Sequence, residues 1–365
     1  MRVLHVINAF TGGGAEKLLH DTVLSQKERG ADVEVMVLSQ QNNHYLDTVK
    51  SKGIQVYVSN SRSLHSPSQI NELKKVIAKG DYDIVHVHLF PALYWVALCS
   101  LFVNKDFKLV YTEHSTHNRR RDKSYFRHIE SIIYKRYQRI FCISEGTKQN
   151  LIQWIPSTDK KARIIPNGIN LSDYTDAKPY DRSYLFANIK KNDKLIVMIA
   201  RFDHQKDHET LIKSLSYLDD SFKLILVGDG GWTENIKLIT ISEGVHHRVS
   251  FLGFRKDIPQ ILKTADIFVL SSHWEGFGLV AVEAMASGIP VLVSDVTGLR
   301  DVVERKDMIF SQGDPEMLAK KVRSILIDEE KSPKIINYGL NRAKEFSIES
   351  MVNRLEQEYN TLINT

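Results

Sequence analysis

The sequence contains little cysteine and no long apolar run. Only two of its 365 residues are cysteine, Cys99 and Cys142, and both lie within apolar stretches. Such thiols are typical of small core residues in a reducing compartment, rather than of a disulfide framework or a zinc site. The longest apolar stretch, residues 90–103, is shorter than the roughly 20 residues that cross a bilayer. The sequence therefore predicts neither a structural metal nor a membrane span.

A secretory signal and low-complexity tracts are also lacking. The first residues form a short apolar strand that runs into glycines, without a long hydrophobic region or a cleavage site. We therefore expect a cytoplasmic protein. Hydrophobic residues at 42% and charged residues at 25% are close to globular averages. A chain of this length suits two α/β domains, each with its own core.

Charge is unevenly distributed along the chain. The net charge is +5 in total, but residues 1–170 carry +9 and the remainder carries −4. A basic N-terminal half suits an anionic partner, such as acidic lipid head groups or a phosphorylated acceptor. Nucleic acid is the competing interpretation.

Strand-like apolar runs alternate with amphipathic segments in two series, before and after residue 170. This alternation predicts βαβ crossovers and parallel sheets. Residues 171–194 show no sustained periodicity and are interpreted as an interdomain linker. We predict an N-terminal Rossmann-like domain over 1–170 and a C-terminal one over 171–347. The last helix, 348–365, has apolar residues spaced to pack one face, and we expect it to return to the first domain.

A glycine-rich turn, Gly12-Gly13-Gly14, ends the first strand directly before a helix. Glycines there let backbone N–H groups approach a phosphate. The dinucleotide fingerprint requires a different glycine spacing and an acidic residue at the end of the second strand. The second strand instead ends in Ser39-Gln40-Gln41. A nicotinamide oxidoreductase is therefore disfavoured, and a simple tight turn remains the alternative interpretation of this loop.

Two cations follow the strand at 195–200, in Arg201-Phe202-Asp203-His204-Gln205-Lys206. The carboxyl end of a strand is where α/β sheets bind ligands. Two fixed positive charges there can neutralise a diphosphate leaving group without a metal. A solvated basic loop is the alternative interpretation.

The most informative segment is Ser271–Pro290, in which a strand passes through a glycine turn into a helix that ends at Gly288. Glu275 lies on the turn and Glu283 within the apolar helix. A buried glutamate is costly without a partner, and a ribose diol can be that partner. The helix N-terminus offers free N–H groups to a phosphate.

Together these features resemble glycosyltransferase family 4: the Glu-x7-Glu pair Glu275/Glu283, Arg201 and Lys206, the Pro166-Asn167-Gly168 turn, Val227-Gly228-Asp229-Gly230 and the triple glycine. The resemblance covers essentially the whole chain. It implies the GT-B fold, in which two Rossmann-like domains with parallel sheets face a central cleft. It also implies transfer of a sugar with retention, without a metal or another cofactor. One departure is Thr297-Gly298, where many relatives have two glycines.

The resemblance also assigns roles by position. Glu283 is expected to hold the ribose, Glu275 the hydroxyls of the donor sugar, and Arg201 and Lys206 the diphosphate. His114, at the end of a strand, matches a histidine that touches the donor sugar, and a local hydrogen-bonding role is the alternative. Further donor contacts are expected from Gly13, Gly14, Gly228, Phe254, Arg255, Ile258, Gly276, Phe277, Gly278 and Leu279.

Two other patterns admit more than one interpretation. His86 and His88 share a strand face, but no third metal ligand is evident, so packing is favoured over a metal site. The segment 117–139 combines eight basic residues with apolar residues at helical spacing. A core helix with a solvated face and contact with a membrane or a phospholipid acceptor are weighed equally. The residues proposed for that contact are Arg119, Arg120, Arg121, Lys123 and Arg127.

The sequence thus predicts a retaining, metal-independent glycosyltransferase with a nucleotide-sugar donor, for which a UDP-sugar is the expected choice. The expected transferred sugar is a hexose or an N-acetylhexosamine, and the expected acceptor is a lipid-linked or polysaccharide glycan. The chain is expected at the inner face of the membrane or in the cytoplasm, without a nucleic-acid partner. A nucleotide-sugar epimerase of the same fold is the alternative, and a non-catalytic RNA- or membrane-binding module would leave Glu275, Glu283, Arg201 and Lys206 unexplained.

Overall fold

The computed structural model of the chain describes residues 1–11, 13–41, 43–116 and 120–365. It divides into two compact units. The N-terminal unit comprises residues 1–168 and 348–365, and the C-terminal unit comprises residues 169–347. The division lies two residues before the predicted boundary.

The N-terminal unit is built on a seven-stranded parallel sheet with the order β3-β2-β1-β4-β5-β6-β7. The central strands are apolar and buried along their length, as expected for a parallel sheet covered on both faces. The strands are β1 Arg2–Ile7, β2 Asp32–Val37, β3 Gln55–Val58, β4 Ile84–His88, β5 Lys108–Glu113, β6 Arg139–Cys142 and β7 Ala162–Ile164. Helices α1 Gly14–Glu28, α2 Leu46–Ser51, α3 Gln69–Ile77, α4 Ala92–Cys99, α5 Ser124–Lys135 and α6 Glu145–Trp154 connect them.

The C-terminal unit has a six-stranded parallel sheet with the order β10-β9-β8-β11-β12-β13. Its strands are β8 Lys194–Ile199, β9 Phe222–Val227, β10 Val249–Gly253, β11 Ile267–Leu270, β12 Val291–Ser294 and β13 Ile309–Phe310. Its helices are α7 Leu171–Thr175, α8 Arg182–Leu185, α9 His208–Ser214, α10 Thr233–Ser242, α11 Ile258–Thr264, α12 Leu279–Ala286, α13 Thr297–Val303, α14 Pro315–Ile327 and α15 Lys331–Lys344.

The segment 171–194 differs from its prediction as an interdomain linker. It belongs to the C-terminal unit and contains α7 and α8, which bury Tyr174 and Leu185. These helices have five and four residues, which is too short for a 3.6-residue period to appear in the sequence.

The last helix, α16 Ile348–Ile363, returns to the N-terminal unit. Its apolar stripe packs against one face of the N-terminal sheet, in a core formed by Val3, Ile84, Val110 and Phe141 together with Met351, Val352, Leu355, Tyr359 and Leu362. Burial of a stripe of this length contributes more to stability than the propensity of the helix itself.

Both cysteines are free and buried. Across the parts of the chain that the structure describes, none of the helices combines the length and the apolar character needed to cross a membrane.

Candidate functional site

The candidate site lies at the carboxyl ends of β8 and β11 in the C-terminal unit. The chain continues from β8 through β9 and β10 on one side of the sheet, and through β11, β12 and β13 on the other. The strand order therefore reverses between β8 and β11, and ligands of open α/β sheets bind in the crevice at such a switch point. The two loops that leave these strand ends are 200–207 and 271–278, which contain the predicted Arg201, Lys206 and Glu275.

Lys206 and Glu275 are in direct contact, as expected for residues of one site. The Lys206 ammonium donates to Glu275 Oε1, and the Ser272 hydroxyl donates to the same oxygen at 3.0 Å. The Lys206 side chain is 19% exposed, so its charge is only partly screened by water. An ammonium has three donors, and one is used here. Two remain for an anionic ligand, while Glu275 Oε2 has no hydrogen-bond partner among the described residues.

Arg201 has a different partner from Lys206. Its guanidinium pairs with Asp203 on the same loop, with Nε 2.6 Å and Nη2 2.5 Å from Oδ2. The arginine side chain is 71% exposed. Asp203 is only 23% exposed, but the guanidinium itself lies in solvent and can turn from this carboxylate to a phosphate.

Glu283 lies within α12 and is buried. Its backbone carbonyl accepts from Ser287, but its carboxylate has no hydrogen-bond or ion-pair partner among the described residues. The Glu283 oxygens are not among the enclosed unpartnered atoms of the structure, so they reach solvent and are open to a ligand.

The turn before α12 requires glycine at Gly278, which caps the helix with a φ of 88°. A Cβ there would also lie 2.3 Å from a Leu299 methyl group. The helix has no side-chain cap, so its first N–H groups remain available to an anion. Gly276 and Leu279 flank this turn. Phe277 packs edge-on against Phe346 in the core, so only its backbone can face a ligand.

Glycines hold the two loops in place. Gly228 has a φ of 140°, and a Cβ there would lie 1.9 Å from the Ala200 carbonyl oxygen. Gly230 packs in the same way against the backbone of Phe202. Gly298 lies against the Glu275–Gly276 peptide, where a Cβ would come within 2.5 Å of the Glu275 carbonyl oxygen. The Gly298 position thus has a packing reason, and the neighbouring Thr297 begins α13.

Three of the predicted donor contacts, Phe254, Arg255 and Ile258, follow β10. The Phe254 side chain is 58% exposed, and Ile258 begins α11. Arg255 forms an ion pair with Asp257, whose other hydrogen bond comes from the Tyr180 hydroxyl at 2.6 Å. The Arg255 guanidinium and this hydroxyl hold the pKa of the Asp257 carboxyl well below its usual range. The Arg255 charge is therefore already paired.

In the N-terminal unit, the predicted Gly13 and Gly14 form the start of α1. Gly13 caps the helix and Gly14 is its first residue. The Glu16 side chain folds back towards the turn and accepts from the Thr11 hydroxyl at 3.0 Å. Gly12 lies outside the described residues.

His114 directly follows β5 and belongs to a buried histidine group. Its Nε2 lies 3.3 Å from His88 Nδ1, and His88 Nε2 lies 3.1 Å from His5 Nδ1. Burial lowers the pKa of His114 to about 4, so the ring is neutral near pH 7. The expectation that His86 and His88 lack a third histidine nearby is wrong, because His5 on the adjacent β1 faces the same side of the sheet. Side chains alternate between the two faces of a strand, and the position of His5 in β1 was the sequence signal that could have identified it as the third histidine.

The basic segment before α5 differs most from its prediction. Arg120 Nε contacts the buried Glu130 at 2.7 Å, and Arg121 Nη2 contacts the buried Glu113 at 3.0 Å. Their guanidinium groups are 14% and 8% exposed as side chains, so they are not available to a membrane or an acceptor. This corrects the prediction for both residues. Glu113 and Glu130 lie only eight and ten residues from their partners in the chain, but no regular spacing in the sequence indicates these pairs, and only the fold forms them.

The remaining members of the basic set have separate environments. Lys123 caps α5 and is exposed, and Arg127 is exposed although its Nε donates to the Trp154 carbonyl oxygen at 2.9 Å. Arg119 lies outside the described residues. Glu130 also accepts from the Tyr94 hydroxyl at 3.0 Å and from Trp154 Nε1 at 2.6 Å, so this carboxylate joins α4, α5 and α6.

Two family models match successive parts of the chain. The model described as glycosyltransferase family 4 matches residues 12–173, and the model described as glycosyl transferases group 1 matches residues 185–342. Together they span most of the sequence.

Curated relatives agree with these matches. The chain is 26% identical over 271 residues to an Escherichia coli UDP-Gal:alpha-D-GlcNAc-diphosphoundecaprenol alpha-1,3-galactosyltransferase, covering 71% of this chain and 70% of the relative. It is 24% identical over 281 residues to a Campylobacter jejuni N-acetylgalactosaminyltransferase named for an undecaprenol diphosphate-linked acceptor, covering 75% of each chain.

Solved structures show the same fold. HepE of Anabaena, crystallised in complex with UDP and glucose, superposes with a TM-score of 0.85 at 22% identity over 99% of both chains. Sucrose-phosphate synthase of Thermosynechococcus elongatus superposes with a TM-score of 0.84 at 20% identity over 100% of both. The predicted fold class, GT-B with two Rossmann-like parallel-sheet domains, is confirmed. With a family 4 region followed by a group 1 region on this fold, the chain belongs to the family 4 glycosyltransferases.

Proposed function

We propose that this glycosyltransferase moves a hexose or N-acetylhexosamine from a UDP-sugar to a lipid-linked diphosphate acceptor, with retention and without a metal. The observation that carries the donor site is the contact between Lys206 and Glu275 at the β8–β11 switch point, with Glu283 on the helix that follows the Glu275 turn. The complexes of HepE with UDP and glucose support a UDP-sugar as the donor.

Charge at the site supports the diphosphate position. Among the described residues, Lys206 has two unused donors, the exposed Arg201 is held by the partly buried Asp203 carboxylate, and the α12 N-terminus has no side-chain cap. Three such groups stabilise the charge that develops on a departing diphosphate, which is the role a divalent cation plays elsewhere. We therefore expect transfer to continue in the presence of EDTA.

The carboxylates suit hydroxyl recognition. Glu283 accepts hydrogen bonds from the ribose, and Glu275 Oε2 accepts from the donor sugar. Both roles require ionised acceptors, and neither residue is needed as a covalent nucleophile.

Retention follows a same-face route in this proposal. The bond from the anomeric carbon to the diphosphate oxygen breaks through an oxocarbenium-like state, and the acceptor oxygen bonds to the same face of that carbon. The acceptor proton passes to the departing phosphate oxygen. Arg201, Lys206 and the N–H groups of α12 stabilise the developing charge.

A replacement series tests the donor site. Lys206→Ala is expected to lower kcat/KM for transfer by roughly a hundredfold, the scale of one preorganised charge contact, with little change in Tm. Glu283→Gln is expected to weaken UDP binding measured by calorimetry. Lys213→Ala is the matched control, because Lys213 lies on the neighbouring α9 and pairs only with exposed Glu209. Wild-type turnover in Lys206→Ala would contradict the assignment. Conversion of the UDP-sugar without any acceptor would identify the chain as an epimerase instead.

The acceptor side of the proposal is supported by the names of the relatives, which act on undecaprenol diphosphate-linked sugars. Galactosyl and N-acetylgalactosaminyl transferases both occur among them, so the sugar is tested by assaying UDP-Gal and UDP-GalNAc in parallel. A lipid-linked acceptor would bring the enzyme to a membrane surface.

An exposed face of α5 is the surface we propose for that membrane contact. Tyr125, Ile129 and Ile132 are 54%, 41% and 66% exposed and follow helical spacing along it. Leu101 and Phe102, also exposed, adjoin this face, because Arg136 of α5 contacts Ser100 at 3.3 Å. The exposed basic residues Lys123, Arg127, Lys135 and Arg136 flank the face. Apolar residues flanked by cations are typical of surfaces that bind anionic lipid.

Vesicle sedimentation tests this surface. The double variant Ile129→Glu/Ile132→Glu is expected to lose binding to phosphatidylglycerol vesicles while retaining transfer to a soluble acceptor analogue. Leu238→Glu, at a residue of α10 that is 63% exposed, is the control and should bind like wild type. Equal sedimentation of the two variants would contradict the membrane proposal.

A further inference from the structure

A chain of hydrogen-bonded side chains runs through the N-terminal core from Gln26 to His114. Gln26 Oε1 lies 2.9 Å from His5 Nε2, His5 Nδ1 lies 3.1 Å from His88 Nε2, and His88 Nδ1 lies 3.3 Å from His114 Nε2. Gln26 lies on α1, His5 and His88 on the central strands β1 and β4, and His114 directly after β5. Three elements of one domain thus converge on His114, which the family resemblance assigns to the donor sugar together with Glu275.

The chain has a definite polarity. A neutral imidazole carries one donor and one acceptor nitrogen, so the role of each ring fixes the role of the next. The carbonyl oxygen of Gln26 can only accept, which makes His5 Nε2 the donor and His5 Nδ1 the acceptor. His88 then donates from Nε2 to His5 and accepts at Nδ1 from His114 Nε2. All three rings consequently have the same tautomer.

The Gln26 end of this hydrogen-bonded series of side chains cannot take up a proton. The Gln26 amide does not ionise, and burial lowers the pKa of His5 to about 4 and that of His88 well below 6.5. Charging any ring would place an imidazolium among buried groups without a carboxylate in the chain. The arrangement therefore orients a proton on each ring and does not conduct one.

The hydrogen-bonded series of side chains ends at a small cavity beside His114. The cavity has a volume of about 30 Å³, room for a hydroxyl group, and its largely apolar lining also includes the polar side chains of His114, His88, Thr112 and Asn167. His114 Nδ1 has no hydrogen-bond partner among the described residues.

We propose that Gln26, His5 and His88 are positioning residues that fix His114 as the Nε2–H tautomer, so that its Nδ1 is presented as an acceptor to a hydroxyl of the donor sugar. The inference rests on the proposed function for its last step only. The shared tautomer follows from the hydrogen bonds and from the orientation of the Gln26 amide, which turns Oε1 towards His5 and leaves its own Nε2 buried without a partner.

A metal ion is the competing occupant of this region, because one ring nitrogen each of His5, His86 and His88 lies within 4.8 Å of the others. However, both nitrogens of His86 already face hydroxyls, Tyr359 at 2.5 Å and Thr112 at 2.7 Å. The hydrogen-bonded arrangement satisfies all three rings, and the test includes the metal.

Nitrogen-15 NMR of the full chain labelled with [15N]histidine tests the proposal without any variant. Long-range proton–nitrogen spectra are expected to show the Nε2–H tautomer for His5, His88 and His114. Mixed tautomers, a shared Nδ1–H tautomer, or stoichiometric Zn²⁺ binding that shifts the His5 and His88 signals would each overturn the inference.

A variant then links the chain to the donor. Gln26→Met keeps the side-chain length and removes the anchor, so His114 is expected to populate both tautomers and the Kd for the UDP-sugar to rise about tenfold, the scale of one hydrogen bond. The Kd for UDP, which lacks the sugar, is expected to stay unchanged. Gln149→Leu on the exposed face of α6 is the control. An unchanged UDP-sugar Kd would overturn the positioning role, whereas a wild-type protein that binds no UDP-sugar would overturn the proposed function and leave the tautomer result standing.

Discussion

Lowering the pH from 7 to 5 is expected to destabilise the N-terminal unit strongly, because its buried histidines resist protonation. Burial lowers the pKa of both His5 and His114 to about 4, and that of His86 and His88 well below 6.5. In the unfolded chain these rings have a pKa near 6.5 and take up protons as the pH falls. The unfolded state then binds more protons than the folded state, so stability is full above pH 6.5 and is lost progressively towards pH 4.

The magnitude follows from the shifts. One pH unit is worth about 1.4 kcal/mol for each group that differs fully between the two states. Between pH 6.5 and pH 5, His5 and His114 each remove about 2 kcal/mol, and His86 and His88 add to the loss with the same sign. Glu113, whose pKa burial raises, acts in the opposite direction. A loss of about 4 kcal/mol or more is a large part of the 5–15 kcal/mol that is typical of a folded domain.

Guanidinium unfolding followed by tryptophan fluorescence measures this effect. Trp95 and Trp154 lie in the N-terminal unit, so a Trp232→Phe/Trp274→Phe background reports that unit alone. In this background His114→Asn is expected to reduce the difference between pH 7 and pH 5 by about 2 kcal/mol. His247→Gln removes a 54% exposed histidine and should leave the difference unchanged. Equal free energies of unfolding at the two pH values would refute the reasoning, as would an undiminished difference in His114→Asn.

Two further predictions concern packing and paired charge. Gly298→Ala places a Cβ against the Glu275–Gly276 backbone, so KM for the donor should rise about tenfold or more in steady-state kinetics. In the control Gly231→Ala the added Cβ meets no atom within 4 Å, so this variant should behave as wild type. Glu130→Gln leaves Arg120 buried without its carboxylate and should cost about 3 kcal/mol in denaturant unfolding. The control Asp81→Asn, whose side chain is 87% exposed, should leave the free energy of unfolding close to that of wild type, and a similar loss in both variants would contradict the buried-pair account.

The sequence predicts the sheets well because parallel strands buried on both faces are continuous apolar runs. The final helix was predictable for a related reason, since Met351, Val352, Leu355, Tyr359 and Leu362 repeat with the helical period. Helices α7 and α8 were missed because a helix of one turn contains no full repeat. Periodicity therefore identifies long elements and omits short ones.

For the candidate site, sequence motifs were sufficient to predict that Lys206 and Glu275 lie near each other. Lys206 and Glu275 follow neighbouring strands, and parallel strands bring their carboxyl ends to one edge. Charge partners across the fold were not predictable in this way. Arg120 and Arg121 look like free cations in the sequence, and only the tertiary structure brings Glu130 and Glu113 to them. Likewise, His5 becomes a neighbour of His88 only when β1 and β4 pair.

The return of α16 to the N-terminal unit has a consequence for synthesis of the chain. Val3, Ile84 and Val110 emerge from the ribosome before the C-terminal unit, yet the residues that cover them, including Leu355 and Tyr359, are translated after it. One apolar face of the nascent N-terminal sheet therefore stays exposed to solvent while the C-terminal unit is translated. A fragment stopped at residue 168 should aggregate in the cell, and coexpression of residues 348–365 as a separate peptide should restore its solubility.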